Sequence, residues 1–68
     1  MTVGTQLQQA IASVQSAAAS METFAVETED QQAKQTFQSL AQTLDSAVQS
    51  LKSRQQYIEK QEPQYRQQ

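Results

Sequence analysis

The feature that most constrains this chain is the long stretch between its only glycine, Gly4, and its only proline, Pro63. No residue between these two positions is a strong breaker of regular secondary structure. Ala, Gln, Leu, Glu and Lys are frequent in this stretch, and all of them favour the α-helix. The sequence therefore predicts an all-α fold.

Apolar side chains recur in both halves of this stretch, at spacings that alternate between four and three residues. Such a heptad pattern is typical of helices that pack along their length, as in a coiled coil. The first stripe consists of Leu7, Ile11, Val14, Ala18, Met21 and Ala25, with Ala10, Ala17 and Phe24 along one edge. The second consists of Ala33, Phe37, Leu40, Leu44, Ala47, Leu51, Arg54 and Ile58, flanked by Ala41 and Val48.

The two stripes cannot belong to one straight helix. Continued beyond Thr28, the first stripe would pass through polar residues only, whereas the second stripe lies one to two residues later. Since each residue turns a helix by about 100°, the stripes face different directions. We therefore predict one helical hairpin over residues 1–62, with helix 1 at about 5–27, a turn at about 28–30 and helix 2 at about 31–61. A turn this short favours antiparallel helices, and residues 63–68 form a polar C-terminal tail.

Capping signals support a break at residues 27–30. Thr28 followed by Gln31 matches the capping box, in which side chains satisfy the free N–H groups of a new helix. Asp30 is the alternative N-cap of helix 2. Thr5 offers the same box at the start of helix 1, with Thr2 as the alternative.

The hairpin is expected to need a second copy of itself. A chain this short has a marginal core, and small folds usually gain a disulfide, a metal or a partner subunit. Cysteine and histidine are absent, so a partner subunit remains. We expect a homodimer that forms an antiparallel four-helix bundle, although a higher even-numbered oligomer is an alternative. The expected self-association core is Leu7, Ile11, Val14, Met21, Phe24, Phe37, Leu40, Leu44, Val48 and Leu51.

The composition argues against catalysis and against a metal or cofactor site. A nucleophile needs a positioned base, and this chain has scattered serines without histidine or cysteine. The cluster at residues 27–30 is too short for a calcium loop and lacks its glycine. The passage at residues 24–34 is similar to the helix-to-helix segments of ferritin-like proteins. A small-ligand or metal carrier of that ancestry, without the usual metal ligands, is therefore the alternative function.

Charge and hydropathy set aside two further classes of partner. The net charge of −2 argues against nucleic-acid binding, and the basic and aromatic residues after position 51 read best as a solvated helix end. No apolar run approaches the roughly 20 residues that cross a bilayer, so we expect no direct membrane insertion. Residues 1–5 do not resemble a signal peptide. A cytoplasmic location is the resulting expectation.

The chain as a whole resembles a family of short proteins of unknown function from spore-forming Gram-positive bacteria. The resemblance rests on Thr2-Val3-Gly4-Thr5-Gln6, on Glu22-Thr23-Phe24-Ala25 with Thr28-Glu29-Asp30-Gln31, and on Glu62-Pro63-Gln64-Tyr65. Members are often encoded beside spore-membrane proteins linked to germination. The resemblance implies a role in the developing spore and a spore or membrane protein as partner, but no catalytic residues. The resulting hypothesis is a non-catalytic structural or protein-interaction module.

Overall fold

The computed structural model describes residues 3–61, and the side chains of residues 3–58, as two antiparallel α-helices. Helix α1 spans Val3–Glu27 and helix α2 spans Gln31–Gln61. No strand occurs within the described residues. The expectation of an all-α two-helix hairpin is confirmed. The predicted polar tail, residues 63–68, lies outside the described residues.

Helix α1 begins at Val3, two residues before the start that the capping pattern indicates. Thr5, the expected cap, consequently lies inside the first turn of the helix. A glycine near a helix end costs only about 1 kcal/mol relative to alanine, so Gly4 does not stop the helix from extending. The residue that precedes Val3 lies outside the described residues.

The turn at residues 28–30 is organised by two side chains. The Thr28 N–H donates to the Phe24 carbonyl at 2.9 Å, which extends the hydrogen bonding of α1 by one residue. The Thr28 Oγ1 accepts a hydrogen bond from the Asp30 N–H at 3.4 Å. The Asp30 Oδ1 accepts from the Gln32 N–H at 3.2 Å, which is the geometry of an N-cap. Of the two residues expected to cap α2, Asp30 is the N-cap, and Thr28 stabilises the turn through its hydroxyl group.

The two helices are joined at both ends by side-chain hydrogen bonds. Near the turn, the Lys34 Nζ donates to the Ala25 carbonyl at 2.7 Å. Near the other end, the Gln55 Nε2 donates to the Gln8 Oε1 at 2.6 Å. Residues 8 and 55 therefore stand at the same height, and α1 lies beside α2 over nearly its whole length.

The buried seam between the helices consists mostly of small residues. Its buried members are Ile11, Ala18, Ala25, Ala41 and Val48. In α2 the sequence pattern placed Leu40, Ala47 and Arg54 on the seam, whereas the structure places Ala41, Val48 and Gln55 there and leaves the former three exposed. Both rows repeat every seven residues, and the row with Ala41 allows closer approach to the alanines of α1. Leu40 is too large for that gap and lies at its edge.

Candidate interaction surface

One side of the hairpin carries nearly all the remaining large apolar side chains. It is located by Phe24 and Phe37, whose rings meet edge to face with centroids 5.5 Å apart. Side chains seven residues apart on a helix share a face, so the rows containing these two rings continue along the same side. We call this surface the apolar face. Its members are Val3, Leu7, Ala10, Val14, Ala17, Met21, Phe24, Ala33, Phe37, Leu40, Leu44, Ala47, Leu51 and Ile58.

The apolar face is incompletely covered by the hairpin itself. Phe24 is 44% exposed and Leu40 is 43% exposed, although both are large and apolar. Leu7, Val14, Met21, Phe37, Leu44, Leu51 and Ile58 are half-buried. A two-helix hairpin gives each helix only one neighbour, so the outer half of each stripe stays in contact with water.

The opposite side of the hairpin is polar. The rows next to the seam on this side, three or four residues from its members, bear exposed amides and charges, and we call this surface the polar face. Its members are Gln8, Gln15, Glu22, Gln38, Asp45 and Lys52. Val26 and Tyr57, which are 79% and 54% exposed, lie outside the apolar face, whereas its own members form one continuous surface.

The residues expected to form the self-association core divide into two groups. Ile11 and Val48 are buried, at 2% and 4% exposure, between the helices of one hairpin. The other eight lie on the apolar face: Leu7, Val14, Met21, Phe24, Phe37, Leu40, Leu44 and Leu51. Only this second group is placed where another molecule can contact it.

Shallow concavities of the described region lie on both sides of the hairpin near the turn. Phe24, Glu27, Thr28 and Phe37 line the first, an open space of about 410 Å³ on the side of the apolar face. The second, of about 550 Å³, opens towards the polar face, and its lining includes Glu22, Lys34 and Asp45. Sequence reasoning missed both Lys34 as a link between the helices and Glu27 beside the aromatic pair. The sequence feature that could have indicated this role of Lys34 is its position as the first basic residue after the acidic turn.

The basic and aromatic residues of α2, Arg54 and Tyr57, line a shallow, open concavity of about 490 Å³ together with Ser50 and Ser53. The Arg54 guanidinium carbon lies 5.2 Å from the centre of the Tyr57 ring, within the range of a cation–π contact. Both side chains are exposed. No carboxylate pairs with Arg54 among the described residues. Lys60, Tyr65 and Arg66 have no described side chains.

Charge is distributed unevenly along the length of the hairpin. The half nearest the turn, residues 16–45, carries five carboxylates and one lysine, a net charge of −4. The other half, residues 3–15 together with 46–58, carries only Lys52 and Arg54, a net charge of +2. We call these halves the acidic turn half and the basic open half.

Nothing in the described residues assembles a metal-binding or membrane-spanning element. Within that range, no three Asp or Glu side chains come together as a candidate metal site. Neither described helix has the length and apolar character that crossing a bilayer requires.

Comparison with known proteins identifies a family for the chain, and that family has no known function. A family model described as "Protein of unknown function (DUF1657)" matches residues 7–54, which include the turn and most of both helices. No curated protein and no solved structure matches the chain. On the strength of the family match, the chain belongs to the DUF1657 family.

Proposed function

We propose that this protein is a non-catalytic structural or protein-interaction module that works as a self-associated helical hairpin. Two hairpins cover each other's apolar faces and form a homodimeric four-helix bundle. The observation that carries the proposal is the exposure of Phe24 and Leu40 on a face where seven further large apolar side chains are only half-buried.

The chemistry of this face favours burial against protein. Large contiguous apolar surfaces are rare on monomeric soluble proteins and mark interaction sites. Each square ångström of apolar surface removed from water contributes about 25 cal/mol. The face has no charged member, so covering it leaves no unpaired charge in the interface core. Arg54, on the edge of the face, is long enough to keep its guanidinium in water.

The size of the face suits a stable dimer. The hairpin measures 49 Å by 18 Å by 11 Å, so its broad side offers a footprint of roughly 900 Å². Stable protein interfaces bury about 800 Å² on each partner. A second copy of the chain provides a matching surface by symmetry, because two-fold dimers bury the same patch on both subunits.

The non-catalytic part of the proposal is supported by the residue types that the chain contains. Acid–base catalysis needs a positioned proton donor or acceptor within reach of a bound substrate. The concavities of the described region are shallow and open, and histidine and cysteine are absent from the sequence. The carboxylates nearest the turn lie on its exposed surface.

The proposed place of action is the cytoplasm of a sporulating cell or of its developing spore. The support for this part is the resemblance of the opening, central and closing motifs described above. Immunoblots of vegetative and sporulating cells of a spore-forming host test it. Accumulation during sporulation is the expected result, and equal amounts throughout growth would contradict it.

Sedimentation equilibrium of the full chain and of two matched variants tests the association. Leu40→Asp places a charge on the apolar face outside the buried seam, whereas Gln38→Asp places the same charge on the polar face two residues away. Burying an unpaired carboxylate is costly, so Leu40→Asp should weaken the dimer by at least ~100-fold, or about 2.7 kcal/mol. Gln38→Asp should keep the mass of the dimer.

The comparison of the two variants makes the outcome decisive. Both add one carboxylate to α2, so a general effect of charge would act on both. A wild-type chain with the mass of a folded monomer would refute the proposal. Equal weakening by the two substitutions would refute the apolar face as the contact surface.

A further inference from the structure

We propose that the two hairpins pair head to tail, so that the acidic turn half of each copy lies over the basic open half of the other. This inference rests on the proposed self-association and assigns its orientation. Face-to-face packing of two copies allows two symmetric arrangements. Their turns lie either at the same end of the bundle or at opposite ends.

The charge distribution separates these arrangements. Without Glu22, Asp45 and Lys52, which lie on the polar face away from the partner, same-end pairing brings together two turn halves of net charge −2 and two open halves of net charge +1. Head-to-tail pairing instead places each turn half beside an open half of opposite sign. Like charges across an interface disfavour a pairing, whereas complementary charges select its register.

The length of the two helices sets the register of the head-to-tail dimer. Full overlap of the two hairpins, over residues 3–28 and 33–58, puts the two-fold axis level with the midpoint between Val14 and Ala17 on α1. On α2 the same axis lies between Leu44 and Ala47. Each α1 then lies along the partner's α1, and each α2 along the partner's α2.

The same register gives Arg54 a second aromatic neighbour, besides Tyr57 of its own helix. Arg54 of the partner subunit comes to the height of Phe37, on the same side of the bundle. A guanidinium near an aromatic face is stabilised by a cation–π interaction. The turn end to which it is brought also carries the exposed carboxylates of Glu27 and Glu29.

Distances between spin labels on the two copies test the orientation. The chain has no cysteine, so a single introduced cysteine accepts one label on each copy. Glu29→Cys labels the turn, where the side chain is exposed, and Thr43→Cys labels the exposed flank of α2 close to the symmetry axis. Both labelled dimers are first checked by circular dichroism and by mass. Gln35→Cys, exposed in the first half of α2, provides a second label near the turn.

Head-to-tail pairing predicts a long distance at the turn and a short one near the axis. With a rise of about 1.5 Å per residue, the labels at position 29 should lie roughly 40 Å apart. Those at position 43 should lie within about 25 Å, because neighbouring helices of a bundle pack 8–10 Å apart. Labels at position 35 should again be well separated, at about 30 Å.

Same-end pairing reverses the order of the first two distances. The labels at position 29 would then be the closer pair, and those at position 43 would lie diagonally across the bundle. That result in a verified dimer would overturn the head-to-tail inference and leave the proposed self-association standing. A monomeric mass without any dipolar coupling would overturn both.

Discussion

Lys34, in the first turn of α2, donates a hydrogen bond from its Nζ to the carbonyl oxygen of Ala25, in the last turn of α1, at 2.7 Å. The last four carbonyls of a helix have no partner inside the helix, and the negative end of the helix dipole lies there. The lysine therefore satisfies a free acceptor, places a positive charge at a favourable site and ties the two helices together.

Replacement of Lys34 by methionine should destabilise the fold. Methionine keeps the apolar stem but loses the donor and the charge. Hydrogen bonds that involve a charged group contribute about 1.5–3 kcal/mol, and partial exposure of this one reduces the expected loss to about 1–2 kcal/mol. Urea denaturation followed by circular dichroism measures the difference. Lys52→Met, at an exposed position of the same helix, is the control, and an equal loss in both variants would contradict the capping role.

Loss of the cap at Asp30 should also be measurable. Asp30→Ala removes the acceptor of the Gln32 N–H, and N-cap replacements by alanine cost typically ~1 kcal/mol. Adding Thr28→Ala should bring the total to about 1–2 kcal/mol. Thermal melting of the single and double variants tests this. Glu29→Gln, between the two positions, is the control and should change the melting temperature much less. A double variant that melts at the same temperature as the wild type would contradict the capping of α2 by Asp30 and Thr28.

Gln55 is a polar residue on the seam of α2, at a position where the other heptads carry Ala41 and Val48. Its amide reaches only the exposed Gln8 side chain, which water can satisfy in its place. Gln55→Leu should therefore stabilise the hairpin by about 1 kcal/mol, through apolar burial of a half-buried side chain. Urea denaturation at a fixed protein concentration measures it. If Gln55→Leu destabilised the hairpin more than Gln8→Ala does, the hydrogen bond between the two amides would be what stabilises the open end of the hairpin.

Metal binding separates the proposed module from a carrier of ferritin-like ancestry. The described carboxylates do not gather into a group of three, and the sequence offers no histidine or cysteine ligand. We expect isothermal calorimetry with Fe²⁺, Mn²⁺ and Zn²⁺ to give no submicromolar site. Stoichiometric tight binding, at one ion per chain or per dimer, would favour the carrier.

The two helices and their antiparallel order were predictable from the sequence because the heptad phase changes near Thr28. Polar residues on the continued first stripe leave no other explanation for that change. The acidic and hydroxyl residues of the turn also indicated a new helix start. These signals are local, and local patterns are what a single sequence records most directly.

The rotation of α2 about its own axis was not predictable in the same way. Leu40 and Ala41 belong to adjacent apolar rows, and periodicity alone does not tell which row meets α1. The structure buries Ala41 in the seam that also holds Ala18 and Ala25, and it leaves Leu40 exposed. The position of the apolar face follows from that choice, because the face consists of the apolar side chains that are not buried in the seam. The contact of Lys34 with a backbone carbonyl likewise depends on three-dimensional proximity.

The central claim, that folding of this chain is coupled to its dimerisation, is tested most directly by unfolding at different protein concentrations. For a coupled dimer, dilution from about 100 µM to about 1 µM lowers the free energy available to the dimer by about 2.7 kcal/mol. The midpoint of urea unfolding, followed by circular dichroism, should therefore fall at each dilution step. A cooperative transition with the same midpoint at every concentration, in a chain that sediments as a folded monomer at low micromolar concentration, would contradict the claim.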